Sequence, residues 1–124
     1  MKSVVVTGAS TGIGWGCVKI LTAKGFHVFG SVRKQADADR LSKEFGAAFT
    51  PLLFDVTDET AVKEGARTVA AKLKGEPLFG LVNNAGIAVP GPLLHLDTDE
   101  LRKQFEVNLF GVHNVTRAFA DLLG

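Results

Sequence analysis

The chain has 124 residues, with 14 lysines and arginines against 13 aspartates and glutamates, a net charge of +1 at pH 7, and 46% hydrophobic content. That balance excludes a charged disordered tail, a fibrous repeat and a field strong enough to gather nucleic acid or an anionic membrane surface. The single cysteine, Cys17, has no partner for an internal disulfide, and no apolar run approaches the roughly 20 residues of a spanning helix, so one soluble cytoplasmic domain over residues 1–124 is expected.

Lys2 to Thr7 is short, rich in valine and ended by Gly8, which predicts a buried strand. Ile13 to Lys24 has helical spacing through Ile13, Cys17, Ile20 and Leu21 and closes at Gly25. The unit then repeats: strand Phe26 to Val32, helix Ala36 to Phe45, strand Ala48 to Phe54, helix Glu59 to Leu73, and strand Leu78 to Asn83. Strands alternating with helices imply right-handed crossovers and a doubly wound parallel sheet, an α/β fold of Rossmann type.

Asn84 to Leu96, with Pro90-Gly91-Pro92, reads as a loop, and Asp97 or Thr98 as the cap of a long final helix. The apolar positions of that helix, Leu101, Phe105, Val112, Val115, Phe119 and Leu122, surround a gap filled by Asn108. With Asn108 included they form a heptad-like seam, and one polar residue in such a seam can set the register of a helix pair. Phe105, Phe110 and Phe119 are expected at core positions.

The stretch TGASTGIG, Thr7 to Gly14, joins a buried strand to a helix start. A helix N-terminus offers unpaired N–H donors and partial positive charge, so a glycine-rich turn there suits a phosphate. Gly8 allows the tight turn, Gly12 and Gly14 allow close approach and close packing, and Ser10 and Thr11 add hydroxyls. An ordinary turn is the plain alternative. Trp15, beside this loop, is expected either to pack or to stack near the cofactor entry. His27, His95 and His113 are too scattered for a metal site, and none is expected.

The glycines fall as Gly-x-x-x-Gly-x-Gly, and TGASTGIG resembles the TGxxxGIG motif of the short-chain dehydrogenases/reductases. Asp55-Val56 after the third strand, Asn83-Asn84-Ala85-Gly86 after the fourth, and Asn108 within EVNLFG resemble that family at matching places. The resemblance implies an oxidoreductase moving hydride between a nicotinamide dinucleotide and an alcohol or carbonyl compound. It places the cofactor against Gly8, Ser10, Thr11, Gly12, Ile13 and Gly14, the adenine against Asp55 and Val56, and the ribose near Asn84, Ala85 and Gly86. Asp55 could instead serve a turn or cap, and Asn83 is expected to brace the sheet.

Dinucleotide folds that prefer NAD carry an acidic residue at the end of the second strand. Here the strand ends Gly30-Ser31-Val32-Arg33-Lys34, with Val32 where the acid would stand and Arg33 able to fork onto a 2′-phosphate, so NADP is expected over NAD. Thr11 departs from the basic residue that many NADP-selective members of the family carry there.

The family's proton donor is a tyrosine activated by a lysine four residues later, and this sequence contains no tyrosine and no serine after Ser42. Asn108 is the one member of the family's catalytic tetrad that matches, and it reads either as catalytic or as a buried amide holding a water or a helix kink. The expectation is a fold truncated after its fourth strand and following helix, with the catalytic half absent and no turnover on its own. The alternative is a nucleotide-binding or dimerising module without chemistry. An apolar fourth strand left at the sheet edge, or the last helix, is expected to pair copies of the chain into a homo-oligomer.

Overall fold

The computed structural model describes residues 2–86 and 97–124. In chain order the elements are β1 (Ser3–Val6), α1 (Gly12–Ala23), β2 (His27–Val32), α2 (Gln35–Phe45), β3 (Phe49–Leu53), α3 (Glu59–Leu73) and β4 (Gly80–Val82). After the gap come α4 (Thr98–Phe105), a π-helical segment over Glu106–Gly111, and α5 (Val112–Phe119). No helix among the described residues is long and apolar enough to cross a membrane.

The strands form one parallel sheet in the order β3-β2-β1-β4. In β1 every residue is buried, as expected of a central parallel strand covered on both faces. Successive side chains point to opposite faces, so Val5 joins Phe29, Leu52, Val62, Val69, Val115 and Phe119 in one core while Val4 and Val6 join Val18, Val28, Leu41 and Phe49 in the other. The sequence expectation of a doubly wound sheet is met, and this two-sided burial is its physical basis. Each fully buried Val, Leu or Phe side chain contributes about 1.5–3 kcal/mol.

Helix α1 meets the expected apolar spacing only in part, with Cys17 and Leu21 packed against the core. Gly14 and Val18 face inward, while Ile13 and Ile20 are exposed. Gly14 dictates the roll, because only a residue without a side chain fits against the Gly8 carbonyl, and position 18 follows one turn later on the same face.

The single long final helix is also corrected. The π segment inserts extra residues per turn between α4 and α5, which breaks the heptad-like seam. Gly111, Val115 and Phe119 form the buried line, spaced four apart, whereas Leu101, Phe105 and Phe110 are exposed. Gly111 is there for close contact: a Cβ would lie 3.1 Å from Val56 Cβ.

The fourth strand is shorter than expected and does stand at the end of the sheet beside β1. Leu78, expected on an exposed edge, is 1% exposed because its side chain joins the core of Val5, Val115 and Phe119, while its backbone forms a parallel bridge with Leu123 and its N–H donates to the Leu122 carbonyl at 2.6 Å. The expected loop Asn84 to Leu96 lies largely outside the described residues, as does His95.

Candidate functional site

The carboxyl ends of β1, β2, β3 and β4 open on a cavity of about 290 Å3. In open parallel sheets this is where ligands settle, at the point where strand order reverses on either side of β1. Of the residues singled out from sequence, Gly8, Ser10, Thr11, Arg33, Asp55, Val56, Asn84, Ala85 and Gly86 line it. Gly12, Ile13, Gly14 and Asn108 are not in the lining.

The glycine loop is held from behind by contacts the sequence reading did not foresee, one of them from Ser31 and others from Thr7 and Asn84. Ser31, 2% exposed near the end of β2, accepts from the Gly8 N–H through its hydroxyl at 3.0 Å, and its carbonyl accepts from the Ala9 N–H at 2.9 Å. Ala9 can lie down on β2 because the residue beneath is Gly30, where a Cβ would stand 2.8 Å from Ala9 Cβ. On the other side, the Thr7 hydroxyl accepts from the N–H groups of Asn84 and Ala85, both at 3.0 Å. Asn84 Nδ2 donates to the Gly8 carbonyl at 3.1 Å. Three strand ends are thereby tied to one loop.

Bracing by Asn83 is not what the fold uses. Asn83 Nδ2 donates to Thr116 Oγ1 at 3.2 Å, tying the turn after β4 to α5, and Asn84 braces the centre instead.

Gly8 and Gly12 have φ of +65° and +61°, a backbone region that disfavours side chains. At Gly8 a Cβ would also stand 2.9 Å from Ala85 Cα. Thr11 is the N-cap of α1 without a side-chain capping bond, and no acidic residue lies in the first turn. The positive end of this helix is therefore left to whatever enters the cavity.

Asp55 Oδ1 accepts from both the N–H and the hydroxyl of Thr57, at 3.0 and 2.8 Å, an Asx turn at the end of β3. The cap of α3 is Asp58, whose carboxylate accepts from the Ala61 N–H. Asp55 therefore serves a turn and lines the cavity at once.

Arg33 and Lys34 are exposed at the end of β2 and line the cavity together with Asp37. Phe54 and Val107 supply apolar wall near Val56; Phe54 carried no motif, and Val107 stands in EVNLFG beside Asn108 without having been singled out. Asn108 is exposed rather than buried, within the π segment, and its Oδ1 lies 3.0 Å from where a Cβ on Gly86 would be. The π turn thus brings Asn108 close to the turn after β4, where Gly86 leaves room for its side chain.

Trp15 packs away from the cavity. Its Nε1 donates to Glu44 Oε1 at 3.0 Å, its ring lies 6.5 Å from that of Phe45, and the Lys19 ammonium stands 5.2 Å over it. Among the described residues no group of three His, Cys, Asp or Glu side chains could hold a metal.

The arrangement fits a dinucleotide phosphate: a side-chain-free turn, an uncapped helix N-terminus, and cations at the rim. A model of the short chain dehydrogenase family matches residues 2–124. The NADPH-dependent 3-dehydrocapnine reductase of Ornithobacterium rhinotracheale is 42% identical over 124 residues, covering 100% of this chain and 44% of the relative. Among solved structures, an NADPH-bound carbonyl reductase from chicken fatty liver superposes with a TM-score of 0.89 at 31% identity, covering 98% of this chain and 48% of the other. A short-chain dehydrogenase from Streptomyces avermitilis superposes with a TM-score of 0.88 at 32% identity, covering 98% and 44% respectively. The chain spans less than half the length of these relatives.

Proposed function

This chain belongs to the short chain dehydrogenase family of oxidoreductases, and on that premise we propose that its cavity binds NADP(H) in preference to NAD(H). The observation that carries the reading is the glycine turn leading into the uncapped N-terminus of α1 on a cavity that Arg33 and Lys34 also line. Val32, where an NAD-selective fold would carry an acid, leaves nothing at that position to accept from a ribose 2′-hydroxyl. The NADPH named for the 3-dehydrocapnine reductase and for the chicken carbonyl reductase supports the same choice.

In this reading Gly8 and Gly12 keep side chains out of the pyrophosphate path, Gly14 lets α1 pack onto the Gly8 carbonyl, and Ser10, Thr11 and the N–H of Ile13 supply donors. Arg33 pairs with the 2′-phosphate. Asp55 accepts from the adenine amino group with its remaining capacity, and the Val56 side contributes apolar wall and backbone. Asn84, Ala85 and Gly86 border the ribose. Asn108, set beside Gly86, is the one residue here offered for the reacting end. When bound, the cofactor supplies or accepts a hydride.

The substrate class is an alcohol or a carbonyl compound. A phenol to hand over the proton is missing from these 124 residues, so by themselves they bind without turning over. Pairing of copies through β4 or the last helix is part of the same proposal.

The test is calorimetric titration of the 124-residue chain with NADPH and with NADH. Saturable binding that favours NADPH and weakens about tenfold or more in Arg33→Ala is expected, since a charge-assisted forked contact is lost. A folded sample that binds neither overturns the reading.

A further inference from the structure

Arg40 carried no motif and is not among the residues that line the cavity, yet it reaches the cavity wall twice. Its Nη2 donates to the Ser10 carbonyl at 2.7 Å, across 30 residues of sequence, and lies 3.4 Å from Asp37 Oδ1. Ser10 and Asp37 both line the cavity, on the wall that holds Arg33 and Lys34.

Two physical points make this more than a surface ion pair. Ser10 lies between two glycines of positive φ, Gly8 and Gly12, so its stretch of backbone has little intrinsic stiffness. Ser31 anchors the loop through Gly8 and Ala9, and the Arg40 contact extends that anchoring to Ser10, toward the start of α1. The second point is charge: Asp37 is the acidic residue on the wall where Arg33 and Lys34 supply the cations. A planar guanidinium can serve a carbonyl and a carboxylate together, which the point charge of a lysine does less well.

We propose that Arg40 is a positioning residue of the dinucleotide cavity: it tethers the Ser10 peptide and occupies the Asp37 carboxylate, so that this wall stays cationic toward a 2′-phosphate. The proposal rests on the NADP(H) reading above. Without Arg40, the wall keeps Asp37 in the first turn of α2 beside Arg33 and Lys34 but loses one cation, so it attracts a 2′-phosphate less and leaves the Asp37 carboxylate freer to accept from a 2′-hydroxyl. Arg40 thereby acts on cofactor choice through another residue.

The experiment compares the unmodified chain with Arg40→Ala, Arg40→Lys, and Arg40→Ala combined with Asp37→Asn. NADPH and NADH affinities are titrated, and amide hydrogen exchange is followed without nucleotide. Arg40→Ala should lower the NADPH-over-NADH ratio about three- to fivefold, as suits a partly exposed pair. It should also speed exchange at residues 10–12. Adding Asp37→Asn should restore the ratio but leave the fast exchange, and Arg40→Lys should fall between. Equal weakening of both nucleotides, or a ratio that Asp37→Asn fails to restore, overturns the selectivity role. If the unmodified chain binds neither nucleotide, the reading of the cavity falls, and unchanged exchange in Arg40→Ala then overturns the tether independently.

Discussion

Gly14, on the first turn of α1, lies so close to Gly8 at the end of β1 that a Cβ added to it would overlap the Gly8 carbonyl oxygen and stand 2.5 Å from Asn84 Nδ2. Gly14→Ala should therefore push the helix off the sheet, at a cost of about 1–3 kcal/mol or more from overpacking. Gly12, by contrast, has open space where a Cβ would go, but a φ of +61°. Gly12→Ala should cost about 1–2 kcal/mol of backbone strain. Urea denaturation of the two variants should rank Gly14→Ala as the worse.

Thr7, 1% exposed, accepts from two backbone N–H groups, those of Asn84 and Ala85. Thr7→Val keeps the shape and removes the acceptor. Stability should fall by about 1–3 kcal/mol for each N–H left without a partner. Thr7→Ser, which retains the oxygen, should lose less than half as much in the same denaturation measurement.

Phe119 is fully buried between the sheet and α3, and Phe110, nine positions earlier, is about half exposed. Phe119→Ala should cost about 3–5 kcal/mol, as large-to-small changes in a core do. Phe110→Ala should change stability by about 0.5 kcal/mol or less. Equal losses in thermal or chemical unfolding would contradict the seam of Gly111, Val115 and Phe119.

His27, at the amino end of β2 and away from the cavity, shares a hydrogen bond of 2.8 Å with Thr50 Oγ1 and stands edge-on to Phe29. Burial is the main cause that lowers its pKa below 6.5, with the Lys72 charge adding to it and a backbone hydrogen bond at Ala47 opposing. The unfolded chain therefore binds this proton more readily than the folded one, so stability falls as pH drops below 6.5 and stops falling once folded His27 is itself protonated. His27→Gln should flatten the stability-against-pH curve in that window, measured by urea midpoints from pH 7.5 downward.

Much of the fold was legible because it rests on short-range patterns. Valine runs ended by glycine marked the strands, and helices α2 and α3 fell within one residue of their observed limits. Asp97 as a cap follows from local chemistry that any helix start obeys. Helix roll was less legible. Of the apolar spacing through Ile13, Cys17, Ile20 and Leu21, Cys17 and Leu21 pack against the core and Ile13 and Ile20 are exposed, since the periodicity of a helix does not say which side a strand will approach.

By itself, the sequence determined the alternation of strands and helices, the glycine turn at the end of β1, and the missing acid at Val32, because each is a matter of adjacent residue types. Tertiary structure alone decided that Ser31, Thr7 and Asn84 brace that turn, that a π segment carries Asn108 to Gly86, and that Arg40 reaches Ser10. The physical reason is range. A turn or cap is settled by backbone energetics within a few residues, whereas these contacts join groups 22 to 78 positions apart, brought together only when the parallel strands stack their carboxyl ends in one plane.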